Sequence, residues 1–368
     1  MDEMFKSADE FGPYKVLHIH RPAVALRGIV VVDNLACGPS IGGIRMAPDV
    51  SGAECFRLAR AMTFKNAAAG LPHGGGKAVI FADPKMPAPE KERLIRAFAS
   101  AISNLDEYIP GPDMGTDEQC MAWIKDEIGR SVGLPREIGG IPLDEIGATG
   151  FGIAAAIDVA REFIGLDLHG ARVAVQGFGA VGKHAARFLA AKGAALVAAS
   201  DSTATVLDEN GLDIDALIAL KAAGKSLRDY SRAQVADAEA VLDAACDIWI
   251  PAARPDVLRA DNVGRLKTRL VAEAANIPST PEAETALHAN GILVLPDFIA
   301  NAGGVMCAAV EYRGGSQSDA FDYIDEKIRM NVRAVIEEAR QTNRPPREAA
   351  FALAGRRIRT AAATRRWR

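Results

Sequence analysis

The sequence predicts an α/β protein of two domains, the second built on a doubly wound parallel sheet, with a cleft between them. Three observations carry this. At 368 residues the chain is long for one hydrophobic core, and domains of roughly 100–200 residues are the starting expectation. A strand, a glycine-rich turn, a helix and a second strand follow one another over 171–201, the order of a βαβ unit. The most irregular stretch, 131–147, holds Gly133, Pro135, Gly139, Gly140, Pro142 and Gly147 and reads as an interdomain connection.

Composition narrows the class. With 49% hydrophobic and 24% charged residues this is an ordinary globular chain, and a net charge of −4 gives no electrostatic reason to bind nucleic acid or an anionic membrane. Cys37, Cys55, Cys120, Cys246 and Cys307 are scattered without a C-x-x-C pair, and no charged-then-apolar leader opens the chain, which fits a reducing cytoplasm. No apolar run approaches the roughly 20 residues of a membrane span. His18 and His20 share a face of a predicted strand without the carboxylate or thiol cluster that a metal needs, so no metal is expected.

Residues 14–34 read as two strands closed by a polar turn at Asp33-Asn34. A glycine-rich loop over 37–46 follows, holding Gly42 and Gly43 and ending in the fixed cation Arg45; its backbone could approach a small molecule or form a plain turn. From 51 to 69 the apolar spacing is helical, with Met62 on the apolar side and Lys65 in the last turns, before Gly70 and Pro72 end it. Lys77 comes twelve positions after Lys65, behind Gly74, Gly75 and Gly76, a composition that suits close approach to a ligand and suits a packed core poorly. Two ammonium groups crowded in a partly dry pocket would depress one lysine's pKa toward neutrality and make it a base. The competing reading makes Lys65 a solvated helix residue and Lys77 a strand-edge gatekeeper. After a short strand and a helix over 88–104, Asp113 sits in a stiff Pro/Gly loop over 108–116. Thr116 and Gln119 form a capping-box pattern for a helix from about Asp117, which puts Asp113 near a positive helix end, there to stabilise the turn or to transfer protons.

Ala148-Thr149-Gly150 opens a helix running to about Ile164, and the strand over 171–176 feeds Gly177-Phe178-Gly179-Ala180-Val181-Gly182. The hexapeptide alone is weak evidence. With a strand before it, a helix after it and Asp201 closing the next strand nineteen residues beyond Gly182, it is a dinucleotide fingerprint of the Rossmann type. Gly177 permits the tight turn, Gly179 lets backbone approach a pyrophosphate and Gly182 lets helix pack on strand, while the helix N-terminus meets the phosphate charge. Asp201, with Ser202 beside it, can accept hydrogen bonds from ribose hydroxyls and would repel a 2′-phosphate, which favours NAD over NADP. Lys183 and Arg187 come too early to rescue NADP, and the plain alternative for Asp201 is a strand-end turn residue. Further strands over 247–252, 270–275 and 292–295 run into loops bearing Ala275, Asn276 and Asn301, where an asparagine can also be an Asx-turn residue. Helices over 318–340 and 347–363 are separated by Pro345-Pro346. The terminal arginines, Arg356, Arg357, Arg359, Arg365, Arg366 and Arg368, read as a solvated helix face ahead of an anion-binding one.

Taken in order, Gly42-Gly43-Ile44-Arg45, the Lys65 to Lys77 stretch, Gly111-Pro112-Asp113-Met114-Gly115-Thr116, Ala148-Thr149-Gly150, the fingerprint and Asn301-Ala302-Gly303-Gly304-Val305 resemble the glutamate/leucine/phenylalanine/valine dehydrogenase family along nearly the whole chain. The resemblance implies a substrate-binding, catalytic and oligomerisation domain over 1–142 with a C-terminal helix over about 340–368, and an NAD-binding Rossmann domain over 143–339. It implies reversible oxidative deamination of an L-amino acid to the 2-oxo acid and ammonia, hydride passing to the nicotinamide, in a cytoplasmic homo-oligomer. Lys65 would hold the α-carboxylate, Lys77 would activate water and Asp113 would move protons, with Gly42, Gly43 and Met62 around the substrate. Asn276 would lie near the nicotinamide ribose with Ala275 beside it, Thr149 near the carboxamide, and Asn301 near the substrate and cofactor. Where glutamate enzymes carry a lysine and a serine for the second carboxylate, this chain has Ile41 and Ala308. With Val305 they imply an apolar pocket and a branched-chain or aromatic substrate, since an unpaired buried carboxylate costs several kcal/mol. The segment 274–283 looks more like the glutamate enzymes, so glutamate dehydrogenase is the alternative. A non-catalytic nucleotide-binding sensor or structural subunit is the second, although it would have no use for a base.

Overall fold

The computed structural model describes residues 8–366, so Arg368 and the outermost ends of the expected domains lie outside it. The chain forms two compact units, the first from residues up to 142 with 305–320 and 351 onward, the second from 143–304 and 321–350. Where a single return near 340 was expected, the chain re-enters the first unit at Val305, leaves it at Phe321 and returns at Phe351.

The first unit begins with β1 (Lys15–Arg21), β2 (Leu26–Asn34) and β3 (Ser40–Met46), then α1 (Gly52–Ala68), β4 (Gly74–Ile80), α2 (Ala88–Ala101), β5 (Tyr108–Pro112) and α3 (Glu118–Ile128). The strands lie in the order β1-β2-β4-β3-β5, with β2 antiparallel to β1 and β4, and β3 parallel to β4 and β5. Strand β2 shows why the sequence reads as a continuous apolar run: Val30 and Val32 pack toward α2 and α3, while Ile29 and Val31 pack toward α1, so both faces are covered.

Two segments expected as loops are strands. Residues from Ser40 and from Tyr108 pair in register on either side of the sheet's parallel half, Gly43 opposite Gly111. The glycines serve this packing. A Cβ at Gly75 would fall on the backbone of Thr63, so the bare position lets α1 lie directly on β4, and one at Gly43 would press on Asp113. What comes close to these glycines is the protein's own backbone and a catalytic candidate.

The second unit holds α4 (Leu143–Ile146), α5 (Ala148–Ile164), β6 (Arg172–Gln176), α6 (Ala180–Ala190), β7 (Ala195–Ser200), β8 (Thr205–Leu207), α7 (Ile214–Ala222), β9 (Gln234–Ala236), β10 (Ile248–Pro251), β11 (Leu270–Ala272), α8 (Pro281–Ala289), β12 (Leu293–Leu295) and α9 (Asp297–Ala300). Its sheet runs β12-β11-β10-β6-β7-β8-β9, parallel from β12 to β7 and antiparallel at β8 and β9. Helix α10 (Gly303–Tyr312) leads back to the first unit, α11 (Gln317–Thr342) to the second, and α12 (Pro346–Ala363) to the first again.

On α12, Phe351 packs edge-on against Phe64 at 5.1 Å. Arg357 donates to the carbonyls of Ala67 (2.7 Å) and Leu71 (2.9 Å), clasping the turn where α1 ends, in addition to the bond that Ala67 O accepts from the Gly70 N–H. Arg359 pairs with Glu10 and Arg365 bonds the Ala36 carbonyl, both from the exposed face that was expected, whereas Arg357 is drawn partly inward. Among the described residues no helix is long and apolar enough to cross a membrane, and no group of three or more His, Cys, Asp or Glu side chains is gathered to hold a metal.

Candidate active site

In the first unit, β4 carries Lys77 toward the α1 side of the sheet, the side that Gly75 and Val79 also face. Its side chain is 6% exposed, and Nζ forms an ion pair with Asp113 Oδ2. Asp113 follows β5 directly. Its other oxygen faces Arg45 Nη2 at 3.3 Å and accepts from the Met114 N–H at 2.5 Å. Arg45, on β3, reaches past it to Glu54 at 2.6 Å. Glu54 is placed by the first turn of α1, where Ser51 accepts from its N–H.

Burial is the largest influence on Lys77 and, with the Arg45 guanidinium next and Lys65 more weakly, holds it down at about 7. The ion pair with Asp113 sets a carboxylate directly against this depressed lysine. The pairing of Lys65 with Lys77 expected from the sequence is therefore the lesser effect. Arg45 is the stronger neighbour, on the strand next to Lys77's own, and Glu54 was not read at all. The capping pattern from Ser51 to Glu54 was the available signal.

Thr116 also has a different job from the one expected. Its hydroxyl donates to Ile44 O (2.8 Å) and accepts from the Asp113 N–H (3.0 Å), stapling the turn that presents Asp113. The helix cap is Asp117, which accepts from Cys120 N at 2.9 Å. Lys65 and Met62 are half-buried on α1. Tyr108 donates to the Gly42 carbonyl at 2.8 Å, which ties β3 to β5 beneath the site. Ile41 and Ala308 meet Ile109 and Val132 in one buried apolar cluster, and Val305 is half-buried on α10. Ile41 and Ala308, expected in an apolar pocket, are both buried in this cluster.

In the second unit, Gly177 takes φ +92°, where a side chain would be strained and would also press on Ala252 and Ala253. Its N–H and that of Phe178 both donate to Ser200 O. Phe178 turns into the core, 1% exposed, so only its backbone faces the loop. Helix α6 begins at Ala180 with Gly179 as an N-cap that supplies no side-chain bond; Gly179 and Ala180 are exposed, Val181 half-buried and Gly182 buried under Val175. An uncapped helix start behind a glycine with open space above it fits a pyrophosphate.

Asp201 is placed at the end of β7 as expected, yet its oxygens are engaged. Oδ2 accepts from Lys221 Nζ (2.8 Å) and Leu227 N (2.9 Å), and Oδ1 from Thr203 N (2.9 Å) and its hydroxyl (2.7 Å). Burial works to raise its pKa, but Lys221 and these hydrogen bonds outweigh it and hold the carboxyl well below the usual range. The cation beside Asp201 is neither Lys183 nor Arg187 but Lys221, which the helix after β8 returns to the same strand end. Ser202 is exposed beside it. Asn301 is buried and donates to Asn276 Oδ1 (3.0 Å), Ala274 O (3.2 Å) and Ala275 O (3.4 Å), while its own Oδ1 has no hydrogen-bond partner. Neither asparagine is a simple turn residue. Thr149 lies in the first turn of α5, against Gly304.

Residues 17–130 match the family described as Glu/Leu/Phe/Val dehydrogenase, dimerisation domain, and residues 139–366 match Glutamate/Leucine/Phenylalanine/Valine dehydrogenase. A glutamate dehydrogenase of Aeropyrum pernix is 38% identical over 91% of this chain and 85% of its own. An NADP(+)-dependent glutamate dehydrogenase of Pyrobaculum calidifontis is 38% identical over 92% and 86%. Among solved structures, a hetero-hexameric glutamate dehydrogenase of Thermus thermophilus in a leucine-bound form aligns with TM-score 0.84 at 32% identity, covering 95% of this chain and 89% of that one.

Proposed function

Because the chain belongs to the Glu/Leu/Phe/Val dehydrogenase family, we propose that it catalyses the reversible, nicotinamide-dependent oxidative deamination of an L-amino acid to a 2-oxo acid and ammonia. The observation that carries this is the buried Lys77–Asp113 pair, a lysine held near neutrality with a carboxylate to exchange protons with. Lys77 takes the proton of the attacking water, and Asp113 passes protons between Lys77 and the substrate nitrogen. Arg45 keeps Asp113 oriented, and Lys65 pairs with the substrate α-carboxylate. A nicotinamide cofactor, when bound, would supply the acceptor for the Cα hydride. In the second unit the start of α6 would hold its pyrophosphate, and Asn276, Asn301 and Thr149 would hold the nicotinamide end.

L-Glutamate is the first substrate reading, supported by the two glutamate dehydrogenases that share 38% identity across nine-tenths of the chain. An apolar amino acid is the second, supported by Ile41 and Ala308, which offer no charge or hydrogen bond to a second carboxylate. A panel of L-amino acids with NAD and NADP, followed by reduced-cofactor absorbance, separates them: glutamate activity at least tenfold above leucine and phenylalanine upholds the first, and the reverse order upholds the second. NAD is the cofactor reading from Asp201, while Lys221 and the NADP(+)-dependent relative support acceptance of NADP. A homo-oligomer is supported by the dimerisation-domain match and is read by light scattering. A reducing, cytoplasmic setting is supported by the free state of all five cysteines.

A further inference from the structure

Arg347, at the start of α12, shares its guanidinium among three carboxylates of the second unit: Glu273 at 2.6 Å, Asp297 at 2.8 Å and Glu284 at 2.5 Å. They come from the end of β11, the start of α9 and the first turn of α8. Glu273 is fully buried. Its Oε2 accepts from Arg347 and from the Asp297 N–H (3.0 Å), and its Oε1 meets the Ser279 hydroxyl at 2.5 Å. Three anions around one cation in a dry site leave room for a proton. Burial first, and then Asp297 and Glu284 against the opposing pull of Arg347, push Glu273 up to about 8. Burial also raises Glu284, whose side chain hydrogen-bonds Glu273, so the proton belongs to the pair of glutamates.

The cluster ends on a strained turn. Ile277, a β-branched residue, takes φ +49° with its side chain 43% exposed, a conformation such residues avoid. Its N–H donates to Asp297 Oδ2 at 2.9 Å. Asn276 precedes it and receives Asn301 Nδ2, and the Asn301 N–H in turn bonds Asp297 O at 2.8 Å. All of this lies beyond the C-terminal ends of parallel strands, where doubly wound sheets bind their ligands.

We infer that Arg347 is a positioning residue for the cofactor: by gripping Glu273 and Asp297 it holds the Asn276–Ile277 turn in its left-handed conformation and so sets Asn276 and Asn301 for the nicotinamide end. This rests on the dehydrogenase reading. The test is NADH binding to the full chain without amino acid, followed by fluorescence titration at several pH values, with folding checked by circular dichroism. Arg347→Ala weakens NADH binding about tenfold or more, and in an Ile277→Gly background, where the turn needs no restraint, the same substitution costs about threefold or less. Wild-type affinity falls as pH rises through about 8, when Glu273 becomes an anion beside Asp297 and Glu284 with only Arg347 to offset them, and Glu273→Gln removes that fall.

If folded Arg347→Ala binds NADH within twofold of wild type, or loses as much in the glycine background, the inference is wrong. Should Arg347→Ala not fold, the Glu273→Gln pH profile decides: a fall at pH 8 matching wild type overturns it. A wild-type chain that binds no NADH or NADPH overturns the dehydrogenase reading itself, which sets that failure apart.

Discussion

A buried cluster of charges in each unit shifts one group, and the two shifts run in opposite directions. Around Lys77 the cations are Arg45 and Lys65, and a lysine is brought down to about 7; around Glu273 the neighbours are mostly carboxylates, and an acid is brought up to about 8. Removal from water disfavours the charged form in both and is the largest influence in each; like-charged neighbours, Arg45 at Lys77 and Asp297 and Glu284 at Glu273, add to it. The clusters differ in what they leave free. Both oxygens of Glu273 are occupied by protein donors, whereas the one hydrogen-bonding side chain described at Lys77 Nζ is Asp113. The arrangement at Lys77 suits a reactant and that at Glu273 suits a scaffold.

Their effects on stability run in opposite directions. Lys77 is neutral in the fold above about 7 but protonated in the unfolded chain up to its ordinary 10.5, so its contribution to stability rises with pH across that window. Glu273 keeps its proton in the fold up to about 8 but loses it near 4.5 when unfolded, so its contribution falls between those values.

The largest expected effect that tests this contrast is at Lys77. Lys77→Ala should lower turnover by about a thousandfold, within the range general acid–base catalysis supplies, while NADH affinity changes less than about twofold. Turnover within tenfold of wild type would make Lys77 as structural as Glu273. Next comes Arg45→Gln, which removes the neighbour that most depresses Lys77 after burial. The acidic limb of kcat/KM, expected near pH 7 in the wild type, should move up by about one unit. A limb that stays in place would mean burial alone does the work. The smallest effect is at Lys221→Ala, where loss of the cation beside Asp201 should shift the kcat/KM ratio toward NAD over NADP by about fivefold, one lost charge-assisted contact at a half-exposed site. An unchanged ratio would remove Lys221 from cofactor choice.

The sequence made the parts of the site legible where the chemistry is local. The fingerprint at Gly177, Gly179 and Gly182 needs only a strand before it and a helix after it, and both are present. It was less legible where glycine was the signal, because a missing Cβ reveals a close approach without revealing what approaches. At Gly75 it is Thr63 of α1, and at Gly43 it is Asp113. Strand β8 is three residues long, too short to show a period, and the reversal it makes lets α7 return Lys221 to Asp201. The grip of Arg347 on Glu273 joins residues 74 positions apart, and neither local pattern announces it.

Arg357 carries a consequence for synthesis. The end of α1, the helix bearing Lys65, is closed by a side chain from near the other end of the chain, at a separation of 290 residues. As the polypeptide leaves the ribosome, the parallel sheet of the second unit can be complete while the carbonyls of Ala67 and Leu71 still lack the Arg357 guanidinium. The unit that starts first therefore finishes last, and a chain cut short before Arg357 would hold a formed second sheet and a first unit without this clasp.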